Sequence, residues 1–168
     1  DANYQVVAGM VDIDNIIDYV VAQAFIGNTS WVHNIRAWRP RTPDGKWQWL
    51  LFDLDRGFRT INFDAVADMA DRFLLFGSLL ENQSFRDLFL IRFLDYLNDV
   101  FLPDRTVPIL DSMAANIEME IPHHIERWKT HCNRRVCGIP AVQHWENNVS
   151  AMRNIVQSRP DIVRQQLL

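Results

Sequence analysis

Apolar positions recur at intervals of three and four between residues 12 and 26: Ile13, Ile16, Ile17, Val20, Val21, Ala24 and Phe25, with Asp14, Asn15, Asp18 and Gln23 on the other side. That period predicts a helix laid on a core, with Asp12 as its N-cap and Gly27-Asn28 as its stop. The period then changes. Asn34–Arg39 and Trp47–Asp55 are rich in aromatic and branched residues and flank Thr42-Pro43-Asp44-Gly45, a turn sequence with Pro second and Gly fourth. A β-hairpin is the economical reading, and side-chain alternation would put Trp47, Trp49, Leu51, Asp53 and Asp55 on one face of its second strand. After a polar segment, residues 59–72, the remainder reads as helical. Ser84-x-x-Asp87 resembles a capping box, and it opens a stripe of Phe85, Leu88, Phe89, Phe93, Tyr96, Leu97 and Val100. Pro103, Pro122, Pro140 and Pro160 each suit the first turn of a following helix, whereas Pro108 should bend or shorten the helix it interrupts. Val142, Trp145, Val149, Met152 and Val156 form a last stripe. There is no internal repeat, low-complexity tract or linker, so residues 1–168 read as one unit, α+β and mostly α, with a single antiparallel hairpin.

Composition narrows the class. The chain has 168 residues, 48% of them apolar and 23% charged, with a formal net charge of −4. Such proportions exclude a disordered tail or a collagen-like repeat, and at this length about two-thirds of the unfolded surface can be buried without disulfide staples. Mild acidity argues against a nucleic-acid partner, which would call for a basic stripe. No apolar run approaches the roughly 20 residues needed to span a bilayer. Asp1-Ala2-Asn3-Tyr4 has neither a basic nor an apolar region of the kind that makes a signal peptide, so the chain reads as a mature protein or a piece of a longer one. Cys132 and Cys137 can close a short disulfide loop in an oxidising compartment or remain two thiols; without a second Cys/His pair, zinc is not expected. Of the six tryptophans, four (Trp31, Trp38, Trp47 and Trp49) fall within nineteen residues. Aromatics at this density either form the core beneath a hairpin or stack a base.

Register arithmetic directs attention to the hairpin. A turn centred between Pro43 and Asp44 sets Asn34 opposite Asp53, and a bulge at Gly45 would shift the partner by one. Either way Asn34 lies beside the Asp53-Leu54-Asp55 end. An amide oxygen next to carboxylates is hard-oxygen ligation of the kind Mg²⁺ or Ca²⁺ accepts, above all when phosphates complete the shell. Like charges two residues apart on one face also repel, which a cation would relieve. The alternative is that the two aspartates merely end an exposed strand. Asp-x-Asp after an apolar strand can also hold a metal–sugar-nucleotide in a glycosyltransferase, but the βαβ alternation of a parallel nucleotide-binding sheet is missing.

The ordered motifs Gly27-Asn-Thr-Ser-Trp-Val-His-Asn34-Ile-Arg-Ala-Trp and Trp47-Gln-Trp-Leu-Leu-Phe-Asp53-Leu-Asp55-Arg-Gly-Phe resemble the core of the spore-coat CotH kinase family. Leu79-Leu-Glu-Asn82-x-x-Phe85, Ile121-Pro-His-His-Ile-Glu-Arg-Trp128 and Met152-Arg…Arg159-Pro160 are similar to that family too, so the likeness runs along almost the whole chain. The resemblance implies the helical, C-lobe-like part of an atypical protein-kinase fold, with the amino-terminal nucleotide-cradling region absent. It implies ATP with Mg²⁺ or Mn²⁺ as cofactors, hydroxyls of a coat or surface protein as substrate, and a secreted or cell- or spore-surface location. Carried over by residue, Asn34 matches the metal-side Asn of the catalytic loop, and Asp53 and Asp55 match the Asp-x-Asp that holds the phosphate-bridging metal. In phosphoryl transfer such groups act by positioning and charge neutralisation.

Three departures stand against this. The family usually has Asp where this chain has Ser30, at the place of the residue that accepts the hydroxyl proton, and a serine of ordinary pKa is no base. The loop is one residue shorter, with a single Asn34 where a pair is common, and Arg59 stands where Gly is frequent. The resemblance therefore points to a kinase domain or, alternatively, to a non-catalytic pseudokinase that keeps the fold for interaction. His33 is the nearest substitute base, while Arg56 and Arg36 can meet phosphate or pair at the surface. His123 and His124 lie about 100° apart on a presumed helix and cannot share a ligand; His124 and Trp128 share a face suited to packing.

Overall fold

The structure is a computed structural model that describes residues 2–131 and 137–167. Among these, eight α-helices and one two-stranded antiparallel sheet are arranged as α1 (Ala2–Met10), α2 (Ile13–Ile26), β1 (Ala37–Trp38), β2 (Gln48–Trp49), α3 (Ala65–Arg72), α4 (Leu74–Leu80), α5 (Gln83–Asn98), α6 (Pro103–Glu118), α7 (Ile121–Trp128) and α8 (Val142–Gln166). The mostly helical α+β reading holds. The pairing of Cys132 with Cys137 lies outside the described residues.

Helix α2 is the axis of the core. Asp12 caps it by accepting from the Asn15 N–H at 3.1 Å, satisfying a donor that the first turn leaves free. Gly27 ends it in the left-handed region at φ 61°, where a side chain is strained. Ile16, Ile17, Val20, Val21, Ala24 and Phe25 are all buried, as their period requires. Phe76, Phe85, Phe89 and Phe93 pack against the same core in edge-to-face contacts 5.3–6.2 Å apart, the geometry that aromatic quadrupoles favour. Phe25 stacks on Phe101 at 3.8 Å.

The hairpin is real but shorter than its sequence suggests. Ala37 pairs with Trp49 and Trp38 with Gln48, the one-residue-shifted register. The Gly45 N–H closes the turn on the Thr42 carbonyl at 3.1 Å, and a Cβ at Gly45 would collide with the Pro40 carbonyl. Tertiary bonds then set the sheet's limits. Asn15 clamps the Trp49 main chain at N–H (2.6 Å) and C=O (3.3 Å). Trp47 bonds to the Met10 carbonyl and the Asp12 N–H where α1 meets α2. Beyond Trp49 the chain leaves the ladder, so Asp53 and Asp55 do not share a strand face with Trp47 and Trp49 as alternation proposed.

Other expectations need correction. The polar segment 59–72 contains α3, capped by Asp64 accepting from Ala67 N–H at 2.9 Å. The cap of α5 is Asn82, which accepts from Phe85 N–H at 3.1 Å, and not Ser84, which lies inside the helix; Val100 falls beyond the helix end and is exposed. Pro103 and Pro122 do open α6 and α7. Pro140 precedes α8 without entering it, and Pro160 lies inside α8. Pro108 lies inside α6 without ending it. Its ring removes the donor for the Asp104 carbonyl, and both residues are exposed, so water can replace the lost bond. Helix α1 carried no recognised signal, because its face is only half-buried and Val6 and Met10 face solvent. Helices α6 and α7 rest on α8, where Arg153 pairs with Asp111.

Candidate functional site

The site is built where α2 stops. The left-handed turn at Gly27 drops Asn28 into the interior, fully buried. Its Nδ2 donates to Gln23 Oε1 at 2.9 Å. Its Oδ1 accepts from both the N–H and the hydroxyl of Ser30, each at 3.1 Å. A single turn of 3-10 helix, Trp31–His33, follows. Its anchor is Trp31, completely buried, with Nε1 donating to Asp68 Oδ2 at 2.7 Å. That turn delivers Asn34, whose Nδ2 reaches both Ser30 Oγ and the Asp53 carbonyl oxygen at 3.4 Å. A polar line thus runs from Gln23 inside α2 through Asn28 and Ser30 to Asn34 and the start of the Asp53-Leu54-Asp55 segment.

The second wall is a turn. Asp53 has φ 52°, a conformation that costs a non-glycine residue of order 1 kcal/mol and that Asp tolerates better than most. The Gly57 N–H bonds to the Leu54 carbonyl at 2.8 Å and Phe58 N–H to the Ile26 carbonyl at 2.7 Å, tying this turn to the end of α2. Asp53 and Asp55 are exposed, and neither carboxylate has a hydrogen bond or ion pair among the described residues. Arg56 is exposed; Arg36 lies 5.6 Å over the Phe52 ring. His33 is exposed beside the loop. The structure therefore brings together Ser30, Asn34 and Asp53, with Asp55 two residues on.

Arg159 holds the frame from behind and went unrecognised as such in the sequence. It is 1% exposed and has no ion-pair carboxylate among the described residues; its guanidinium donates to the carbonyls of Phe25 (3.0 Å), Ala24 (2.8 Å), Ile61 (2.5 Å) and Phe63 (2.6 Å). Burial lowers its pKa from the ordinary arginine value, opposed in part by the charge of Asp64. Its five-donor fork suits this task as no lysine can: it satisfies the last carbonyls of α2 and clasps the loop ahead of α3. The Arg159-Pro160 pair was visible only as a motif. Gln23 was assigned by its period to the polar side of α2 but is fully buried, because its side-chain oxygen accepts from Asn28; Asn28 was legible only as a helix stop.

The tryptophans divide. Trp31 and Trp49 are core, flanking Phe73 at 6.2 and 5.8 Å, whereas Trp38 and Trp47 are 46% and 41% exposed. His124 and Trp128 are both exposed. They line a shallow cleft beside Ile139, away from α2.

Among the described residues no three His, Cys, Asp or Glu side chains gather around one point. The Asp53 and Asp55 carboxylates and the Asn34 amide are hard-oxygen donors, the chemistry by which Mg²⁺ is held together with phosphate and water. The class so defined is a helix-dominated domain with a hydroxyl–amide–carboxylate loop site at the end of its central helix. The family model described as CotH kinase protein matches residues 1–163, and the chain belongs to the CotH kinase family. No curated protein and no solved structure matches it. No helix among the described residues is long and apolar enough to cross a membrane.

Proposed function

We propose that this CotH-type kinase domain holds a divalent metal with a nucleoside triphosphate at Asn34, Asp53 and Asp55, and that Ser30 leaves it slow or inert in phosphoryl transfer. The observation that carries this reading is the Asn34 amide, which spans Ser30 Oγ and the Asp53 carbonyl and so fixes the catalytic-loop side against the Asp-x-Asp side. When bound, Mg²⁺ or Mn²⁺ supplies charge neutralisation of the triphosphate. The protein's share is to orient oxygens: Asn34 through Ser30 and Asn28, and Asp53 through its left-handed turn. Arg56, exposed on the same turn, is the residue we assign to a phosphate.

Ser30 donates its hydroxyl proton to Asn28 Oδ1 and accepts from Asn34. Both roles position the loop, and neither accepts a proton from an attacking hydroxyl. His33 is the candidate for residual base action. Secreted or surface placement, and a coat or surface protein as the acceptor, are parts of this proposal that rest on family membership. The second reading, a non-catalytic interaction module, is favoured by Ser30 alone.

Thermal shift with Mg²⁺ or Mn²⁺ and ATP tests binding: a rise in Tm that Asp53→Ala and Asp55→Ala abolish is expected. No shift in the wild-type protein refutes the binding site. Transfer from radiolabelled ATP tests the second half, and Ser30→Asp should raise it. Brisk transfer by the wild-type chain would refute the assignment of Ser30.

A further inference from the structure

The hairpin joins two features that the nucleotide site does not use. Between residues 36 and 50 the chain carries Arg36, Arg39, Arg41 and Lys46 against the single acid Asp44, in a protein whose net charge is −4. All four cations are exposed, and none pairs with a carboxylate among the described residues. Arg36 and Arg39 lie instead 5.6 Å over the rings of Phe52 and Trp47, which stiffens them while leaving their charge unmatched. Between these cations Trp38 and Leu50 are 46% and 48% exposed. The register places Trp38 opposite Gln48, so Arg36, Trp38, Gln48 and Leu50 fall on one face of the ribbon.

The edge of β1 is also open. The sheet has two strands. The chain at residues 10–12 covers β2 through the Met10–Trp47 and Asp12–Trp47 bonds, which leaves β1, among the described residues, with a neighbour on one side only. An open edge with exposed apolar side chains and unmatched cations is the arrangement that accepts an added strand of opposite charge. We propose that β1 docks an extended acidic segment of a protein partner, its main chain pairing with the outward-facing N–H and C=O of Ala37, its carboxylates meeting Arg36, Arg39, Arg41 and Lys46, and an apolar side chain covering Trp38 and Leu50. Because Asn34 stands three residues before Ala37, a segment docked here is carried toward the Asn34–Asp53 loop. The docking does not depend on the nucleotide reading.

The test uses a short fluorescein-labelled peptide alternating Glu with Val and Leu, and the same peptide with Lys in place of Glu. Binding to the full chain is followed by anisotropy. The Glu peptide is expected to bind, to weaken with added salt, and to lose about tenfold in affinity when Arg36, Arg39, Arg41 and Lys46 are changed together to Glu. Far-UV circular dichroism of the variant checks its fold. Methylating the peptide's alternate main-chain nitrogens should also weaken binding, which side-chain charge attraction alone would not explain. Equal binding of the Lys peptide, an unchanged affinity in the variant, or tighter binding of single-stranded RNA or anionic vesicles than of the Glu peptide overturns the proposal. Loss of the Mg²⁺–ATP thermal shift in the same variant would assign these cations to nucleotide and overturn it too. Peptide binding that survives Asp53→Ala, in a protein showing no nucleotide shift, would sink the proposed function and leave the docking surface standing.

Discussion

Arg159 offers the sharpest test of how this fold is held. In Arg159→Met the apolar stem is retained and the guanidinium is lost. The Ala24 carbonyl keeps a partner in the Gly27 N–H, but the carbonyls of Phe25, Ile61 and Phe63 lose the donor that Arg159 gives them. A buried acceptor left unpaired costs about 1–3 kcal/mol; the Phe25 carbonyl is buried and those of Ile61 and Phe63 are part-buried, so roughly 3–9 kcal/mol is the upper bound for the three. Against this, the wild-type protein buries a cation without an ion-pair carboxylate among the described residues, and relief of that desolvation returns several kcal/mol. The expected net loss is about 4 kcal/mol, a large part of the total stability of an ordinary domain, and at about 2–4 °C per kcal/mol it lowers Tm by about 8–16 °C. Arg159→Lys, with three donors and no planar fork, should fall between the two. Urea denaturation followed by circular dichroism measures the change. A midpoint that moves by less than the equivalent of about 1 kcal/mol, with unchanged slope, would refute the claim that this side chain fastens the end of α2 to the loop before α3.

Gly27→Ala forces a Cβ into φ 61° and against the Arg159 guanidinium 3.4 Å away, so a loss of about 1–2 kcal/mol is expected in the same assay. Asn28→Ala removes the acceptor of both Ser30 bonds; the ATP-dependent thermal shift should fall more than the shift-free Tm does, and a proportionate fall in both would make the residue merely structural. Tyr19 is buried, and desolvation raises its pKa above the ordinary tyrosine value. The unfolded chain therefore releases the phenolic proton first, so this contribution is intact below about pH 10 and is lost as pH rises through the folded-state value. Tyr19→Phe should flatten the alkaline limb of a stability–pH curve and change stability near pH 7 little, because among the described residues the hydroxyl makes no hydrogen bond of normal geometry and meets only the neighbouring Gln23 side chain.

What could be read from the sequence was whatever depends on neighbours along the chain. Asp12, the stripe of α2 and the stop at Gly27 were legible because a cap, a 3.6-residue period and a left-handed turn are local matters. The turn at Thr42–Gly45 and the nearness of Asn34 to Asp53 were legible for the same reason, through hairpin register. The family motifs set Ser30, Asn34, Asp53 and Asp55 in order. Helix α1 and helix α3 were not legible, since one lacks a buried stripe and the other lies in a segment whose polarity hides its packing against α2.

Only the tertiary structure decided where the hairpin ends, because Asn15 and Asp12 clamp Trp49 and Gln48 and the last bond between the strands is from the Leu50 N–H to the Arg36 carbonyl at 3.0 Å. It also divided the four clustered tryptophans into two that are buried and two that face solvent. Above all it gave Asn28 and Arg159 their places. A buried polar side chain is tolerable only where distant groups meet its donors and acceptors. The partners of Arg159 lie 96 to 135 residues away in the chain, a distance no local pattern can report.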